Sequence, residues 1–284
     1  MKDKYRYVRL ETDNEELFAD FLPEDHTGLD YVKMYAMGVT DQEGTPRGAM
    51  VLEKDGSTLI IRSFRVDEGP DFGDGLKLGI FKTLIKFSGQ KGIGKIVCRY
   101  TDDESRQMEK LLHRVGFVGF KEESVVYRID APVLGSLLKE TKTASAMRNE
   151  SVRIMEEKKP VCFSQLTRKE TDLFSELYPI ASLSFMIRKK RGVSCYVAVS
   201  ELSDGTLYLS DIKGELGKEA DLLGLLYMSL GNVFMRIHPD GAFYIAAVEK
   251  GMKNLADFFI APLKESVPLD KIYVAEKIIE QKKK

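Results

Sequence analysis

Tryptophan is absent from the 284 residues, and cysteine and histidine are scarce, at three each. Cys98, Cys162 and Cys195 are odd in number, lie far apart and form no CxxC pair, which argues against a disulfide framework or a zinc site. Cys98, inside the apolar stretch Lys95 to Tyr100, reads as a small buried thiol. None of His26, His113 and His238 has a second metal-type ligand at helical spacing, so no metal site is expected. A charge excess is missing as well: 43 basic side chains face 44 acidic ones, a net charge of −1. That balance favours neither nucleic acid nor an anionic membrane as partner. The longest uncharged run, between Asp221 and Arg236, falls short of the roughly 20 residues a membrane span needs. No apolar stretch follows Met1 to Tyr5, so a signal peptide is not expected and a cytoplasmic protein is.

What the chain does have is a core and a repeat. Hydrophobic residues make up 43% and charged residues 31% of a length that suits roughly two domains. In the first half, Gly48–Leu52 and Leu59–Val66 read as strands joined by a hairpin turn at Lys54–Ser57. A helix follows from Leu76 to Phe87, with Ile80, Phe81, Leu84 and Phe87 on one side and Lys82 and Lys86 on another. Gly92–Gly94, a strand Lys95–Tyr100 and a helix Asp103–Val115 come next, the helix stopped by Gly116. A last strand pair is expected at Val118–Lys121 and Ser124–Ile129.

The second half repeats this order. Ser194–Ser200 and Thr206–Ile212 form a hairpin across Ser203–Gly205, and a helix runs from Ala220 to Ile237. A strand Ala242–Val248, a helix Met252–Ile260 and a strand Lys271–Glu276 complete it. Leu59 and Leu207 stand 148 positions apart, Gly79 and Gly224 145, and Gly94 and Gly241 147. Each copy has a front end, a strand (Tyr5–Leu10, Val161–Leu166) and a helix (Asn14–Phe21, Lys169–Tyr178). Thr12 with Glu15, and Thr167 with Glu170, have capping-box spacing. Nearly continuous apolar residues from Leu222 to Phe234 predict a buried helix. The domains are therefore drawn at 1–138 and 160–284, with 139–159 as a linker carrying a short helix. The fold class expected is α/β, with two tandem domains, each a mixed, mostly antiparallel sheet flanked by helices.

The turn Gly69-Pro70-Asp71-Phe72-Gly73-Asp74-Gly75, between strand and helix, has the form of a phosphate cradle. There, free N–H groups meet the positive end of the helix dipole. Its charge is wrong for that use, because Asp67, Glu68, Asp71 and Asp74 crowd it. Each carboxylate opposes a phosphate by about 1 kcal/mol or more before screening.

The element order in both halves resembles the GNAT (N-acetyltransferase) superfamily. Local features of the first half add to the likeness: Phe64-x-Val66 before the glycine turn, the helix from Leu76, and the ending Leu111-Leu112-His113-Arg114-Val115-Gly116-Phe117. The resemblance implies a sheet that splits between its fourth and fifth strands, with acetyl-CoA as acyl donor in the split. Val66 would pair with the pantetheine arm, and the backbone of Gly73, Asp74, Gly75, Leu76 and Lys77 would hold the diphosphate. The pattern is worn. Phe72 falls where the family has Arg or Gln, Gly75 matches the first glycine, and Lys77 replaces the second. The family's proton-donating tyrosine falls on Leu112 in the first copy and Phe259 in the second. The second turn, Lys213–Glu219, lacks the pattern but has Lys213 and Lys218 to balance its acids.

Acyl transfer to an amine requires a base for the ammonium and donors for an oxyanion; an acid for the leaving thiolate is the softest need. The candidates are Tyr100 at the end of the first copy's fifth strand, Asp211 on the second copy's fourth strand, and Glu249 at the end of its fifth. The alternative readings are that Tyr100 caps the core and that the two acids are solvated strand ends. Met34, Met37 and Met50 suit either a substrate wall or, more ordinarily, core packing. The function implied is acyl-CoA-dependent N-acyl transfer, most simply acetyl transfer to a small-molecule or peptide amine, with the donor in the first copy. The alternative is a non-catalytic protein of the same fold that binds acyl-CoA, another metabolite or a protein.

Overall fold

Both predicted hairpins form, and both are followed by a helix of 18 residues. The computed structural model describes residues 5–23, 34–67, 73–101, 107–174, 177, 179–190, 192–246 and 267–280. In chain order the strands and helices are β1 (Arg6–Leu10), β2 (Met34–Thr40), β3 (Pro46–Asp55), β4 (Thr58–Val66), α1 (Gly73–Gln90), β5 (Lys95–Thr101) and α2 (Gln107–Arg114). There follow β6 (Val118–Asp130), α3 (Ala131–Glu140), α4 (Lys142–Glu157), β7 (Val161–Cys162), α5 (Arg168–Thr171), β8 (Phe185–Arg188) and β9 (Val193–Glu201). The last are β10 (Leu207–Gly214), α6 (Glu219–Arg236), β11 (Ala242–Ala246) and β12 (Leu269–Ile278). The helix expected at Met252–Ile260 lies outside the described residues.

The chain divides into two units that are not simple sequence halves. The first comprises Met1–Glu123, Leu202–Gly205 and Lys271–Lys284; the second, Ser124–Glu201 and Thr206–Asp270. In the first unit the strand order is β1-β2-β3-β4-β5-β12. All neighbours are antiparallel except β4 and β5, which run parallel from Thr58↔Lys95 to Ile61↔Cys98. The sixth strand is thus supplied by the C-terminal end of the chain, with Ile272 opposite Thr101 and Ile278 opposite Lys95. In the second unit the order is β6-β11-β10-β9-β8-β7, again antiparallel except for β10 and β11. Here the outer strand is the second part of β6, Val126↔Ala246 to Asp130↔Ala242. The expected strand pair at 118–129 is therefore one strand of 13 residues, shared between the units.

Each core forms where the helix after the hairpin lays its apolar stripe on the sheet. Leu76, Ile80, Phe81 and Leu84 of α1 are fully buried against Leu59, Ile61 and Ile96. Leu225, Leu226, Leu230 and Val233 of α6 do the same against Val197, Val199 and Leu209. Met34 and Met50 are core residues, and Met37 packs against that core. The stretch expected as a linker is largely α4, 16 residues packed on α6 through Met147 and Ile154. Its polar composition covers only the outer face, while Ala144, Met147, Ser151 and Ile154 recur at helical spacing and are buried. Gly224 lets α4 approach: a Cβ there would lie 3.0 Å from the Glu150 backbone.

The front ends are weaker than expected. Asn14–Phe21 is a 3-10 segment over Glu15–Phe21; its N-cap is Asn14 rather than Thr12, with no side-chain cap, and the Glu15 N–H donates to the Glu11 carbonyl at 3.0 Å. At Thr167 half of the capping box forms, with the Thr167 N–H and hydroxyl both donating to Glu170 Oε2 at 2.9 Å. The strand Val161–Leu166 is cut to two residues by a 3-10 turn at Phe163–Gln165.

Candidate functional site

One residue in each fourth strand is left out of its ladder. Val51↔Ser63 is followed by Leu52↔Ile61, so Arg62 bulges from β4; Val199↔Leu209 is followed by Ala198↔Asp211, so Ser210 bulges from β10. A bulge bends its strand and strengthens the local twist. Among the described residues of both units the parallel pairing runs to the residue before the bulge, at Ile61↔Cys98 and at Leu209↔Ile245. The bulges stand 148 positions apart, as the hairpins do, so the repeat holds to the residue. In the first unit, where β5 runs on to Thr101, the fourth strand thus leaves the fifth, which is the split that the resemblance implies; in the second unit the residues after Ala246 lie outside the described residues.

The first unit's split contains part of the chain. Ser203 Oγ donates to the Ile61 carbonyl on β4 at 2.7 Å and accepts from the Arg99 N–H on β5 at 3.2 Å. The Ser203 N–H donates to the Arg99 carbonyl at 3.0 Å. Asp204 Oδ2 accepts from the Thr101 N–H at 2.7 Å and from its hydroxyl at 2.8 Å. Ser203 is 1% exposed and Leu202 3%. Cys98 is buried beside Ser203, and burial pushes its thiol up to about 12. Tyr100 is 1% exposed and stacks on Tyr273 with ring centroids 5.8 Å apart. It lies within the core.

The residues proposed for the donor in that unit sit further along the chain. Val66 is half-buried opposite Gly48. Gly73 and Asp74 open α1; Gly75 is exposed, Leu76 fully buried and Lys77 half-buried. Glu68, Asp71 and Phe72 lie outside the described residues. Asp67 is paired, its carboxylate accepting from Arg47 Nη1 at 3.0 Å. Leu112, at the family's tyrosine position, is fully buried.

In the second unit, Asp211 follows the bulge and is half-buried. Its Oδ2 accepts from the Tyr196 hydroxyl at 2.5 Å and its Oδ1 from the Ile212 N–H at 2.8 Å. Tyr196 is brought there by register: Ala198 opposes Asp211 and Tyr196 opposes Lys213, so all four share a sheet face. Burial, together with the bond to Asp211, raises the Tyr196 phenol above its ordinary pKa. On the same strands Ser200 Oγ donates to Ser210 Oγ at 2.7 Å, and Ser210 Oγ to the Ala198 carbonyl at 3.1 Å. Neither Tyr196 nor the serine pair stands out in sequence; only the strand register joins them to Asp211. Glu249 and Phe259 lie outside the described residues.

The start of α6 is surrounded by cations. Asp221, 3% exposed, accepts from Arg153 Nη2 at 2.8 Å and from Lys158 Nζ at 2.6 and 2.8 Å, with Lys218 Nζ at 3.9 Å. Burial pushes the Asp221 carboxyl up, but hydrogen bonds from Lys158 and Arg153 outweigh it and hold the pKa below its usual value. The preceding turn ends on exposed residues, with Leu216 98% exposed and Glu215 paired to Lys189. Among the described residues no group of three His, Cys, Asp or Glu could hold a metal, and no helix is long and apolar enough to cross a membrane.

No family model matches the chain, and no curated protein does. Solved structures do. A tandem GNAT protein from the clavulanic acid biosynthesis pathway is similar at 12% identity and a TM-score of 0.52, covering 98% of this chain and 100% of that one. A proposed acetyltransferase from Pyrococcus horikoshii is similar at 11% identity and a TM-score of 0.50, covering 99% of this chain and 92% of the other. The C-terminal domain of a proposed lysylphosphatidylglycerol synthetase from Agrobacterium fabrum is similar at 9% identity and a TM-score of 0.50, covering 93% and 91%. Such likeness speaks to architecture: this chain has the GNAT fold, in tandem.

Proposed function

We propose that the protein is an acyl-CoA-dependent N-acyltransferase, acetyl-CoA being the simplest donor, and that its chemistry runs in the second unit. The observation that carries this reading is the Asp211 carboxylate, fixed beside the Ser210 bulge by Tyr196 and the Ile212 N–H. A carboxylate offers roughly four lone-pair positions, and two are used here. The others suit an ammonium group. Asp211 would take a proton from the acceptor's ammonium, and the freed amine would attack the thioester carbon. The C–S bond then breaks and the thiolate leaves with its electron pair, to be protonated from water or from Asp211, which holds the proton taken from the ammonium. Backbone around Ser210, taken out of the ladder, would face the oxyanion. Lys213, near the end of β10, and Lys218, before α6, would be the cations for a diphosphate at the start of that helix, Arg153 and Lys158 being spent on Asp221.

A non-catalytic binding role is the second reading. The occupied split in the first unit and the apolar Leu112 favour it. Calorimetry with acetyl-CoA separates the two, followed by a thiol-release assay over a panel of small amines and amino-terminal peptides. Micromolar binding with amine-dependent thiol release that disappears in Asp211→Asn supports the enzyme. Absence of heat at millimolar acetyl-CoA removes it.

A further inference from the structure

Two parallel strands that part leave backbone donors and acceptors facing each other across a widening gap. Inside a protein these groups must find partners, and a gap of this kind is where an added strand-like segment binds by main-chain pairing. In the first unit the partners come from the chain itself. The Ser203 hydroxyl bridges the two walls, donating to Ile61 on β4 and accepting from Arg99 on β5. The Ser203 N–H and the Asp204 carboxylate satisfy the next two positions along β5.

We propose that the turn Leu202–Gly205 is a resident, covalently tethered occupant of the first unit's split, held there as a peptide ligand would be, so that this split takes no acyl donor. The corresponding turn of the first hairpin shows that hairpin closure alone does not demand such burial, since Lys54, Asp55, Gly56 and Ser57 are all exposed. Leu202 stands where the first hairpin has Lys54, 148 positions earlier, and is 3% exposed. An apolar residue at a hairpin tip is what a buried tip requires. The proposal concerns the first unit only and stands whether or not the second unit transfers acyl groups.

Hydrogen exchange on the full chain tests it. The Arg99, Thr101 and Ser203 amides should exchange within about tenfold of core β5 amides, and saturating coenzyme A should leave them unchanged. Asp204→Ala should speed exchange at Thr101 by roughly tenfold or more, since its N–H loses its acceptor. Exchange at Arg99 and Thr101 as fast as at the exposed Asp55 and Gly56 would overturn the proposal. So would coenzyme A deprotecting Ser203. Should Asp204→Ala fail to fold, the wild-type rates still decide, and Cys98 gives a second readout in a Cys162→Ser background. It should resist iodoacetamide for as long as the first unit stays folded. Labelling at the rate of an exposed thiol would refute a resident occupant.

Discussion

The two bulges occupy equivalent places and have been put to different ends. At Arg62 the side chain turns to Glu53, which is 8% exposed, and Nε donates to Glu53 Oε2 at 2.8 Å. That is a cross-strand ion pair beside a split already filled by Leu202–Gly205. At Ser210 the side chain is small, its hydroxyl is spent on Ser200 and Ala198, and the following residue is a carboxylate on a half-buried face. One copy has closed its strand divergence with protein groups. The other has a fixed acid beside its bulge. Under the proposed function the first copy would serve as scaffold and the second would carry the chemistry, and the two bulges are where the copies differ in that respect.

The strongest way to break the comparison is to break either core. Leu226→Asp places a charge at a fully buried position of α6 and should cost more than about 4 kcal/mol, unfolding the second unit in a thermal melt. Phe81→Asp should do the same to the first unit. Unchanged melting in either would mean that the helix is not a core element.

Next in size is Asp211→Asn, which should lower kcat/KM for amine acetylation by about 10²- to 10⁴-fold while leaving donor affinity within about threefold. A loss of donor binding with kcat intact would reassign Asp211.

The two helix glycines give a smaller and more discriminating contrast. At Gly79 a Cβ would meet the end of the Tyr7 side chain, which can swing away; at Gly224 it would meet the Glu150 backbone, which cannot. Gly79→Ala should therefore be near neutral, helped by helix propensity of about 1 kcal/mol, whereas Gly224→Ala should lose about 1–2 kcal/mol net. Equal effects in denaturant titrations would contradict the close approach of α4.

The smallest effect concerns pH. The Arg188 side chain, and then Thr167, hold the Glu170 carboxyl down to about 2. A depressed folded-state value stabilises the fold above the unfolded pKa near 4.5, and the contribution is lost as pH falls toward 2. The wild type should thus melt slightly above Glu170→Gln at pH 7, and the gap should close between about pH 4.5 and 2. A gap that widens in acid would reverse the sign.

Much of this fold was legible because it is local. Hairpin turns, apolar stripes and glycine stops state themselves within a few residues, and the repeat offset at Leu59 and Leu207 is also the offset of the bulges. What was hidden is non-local. Val118–Asp130 and Leu269–Ile278 both read as generic last strands, and nothing in either says which sheet it completes. The Tyr196–Asp211 pair depends on a register set by the bulge. The burial of Ser203 is invisible in a tripeptide, Ser203-Asp204-Gly205, that spells an ordinary solvent turn, and only Leu202 before it hints otherwise. The stretch 139–159 misled because its charged face is more conspicuous in sequence than its four buried positions.

Counting acetyl-CoA per chain by calorimetry, with amide shifts to locate it, tests the division of labour most directly. One site per chain is expected, with perturbations at β10 and the start of α6 and none at Arg99 or Thr101. Two sites per chain, or a single site that moves the amides of β4 and β5, would contradict it.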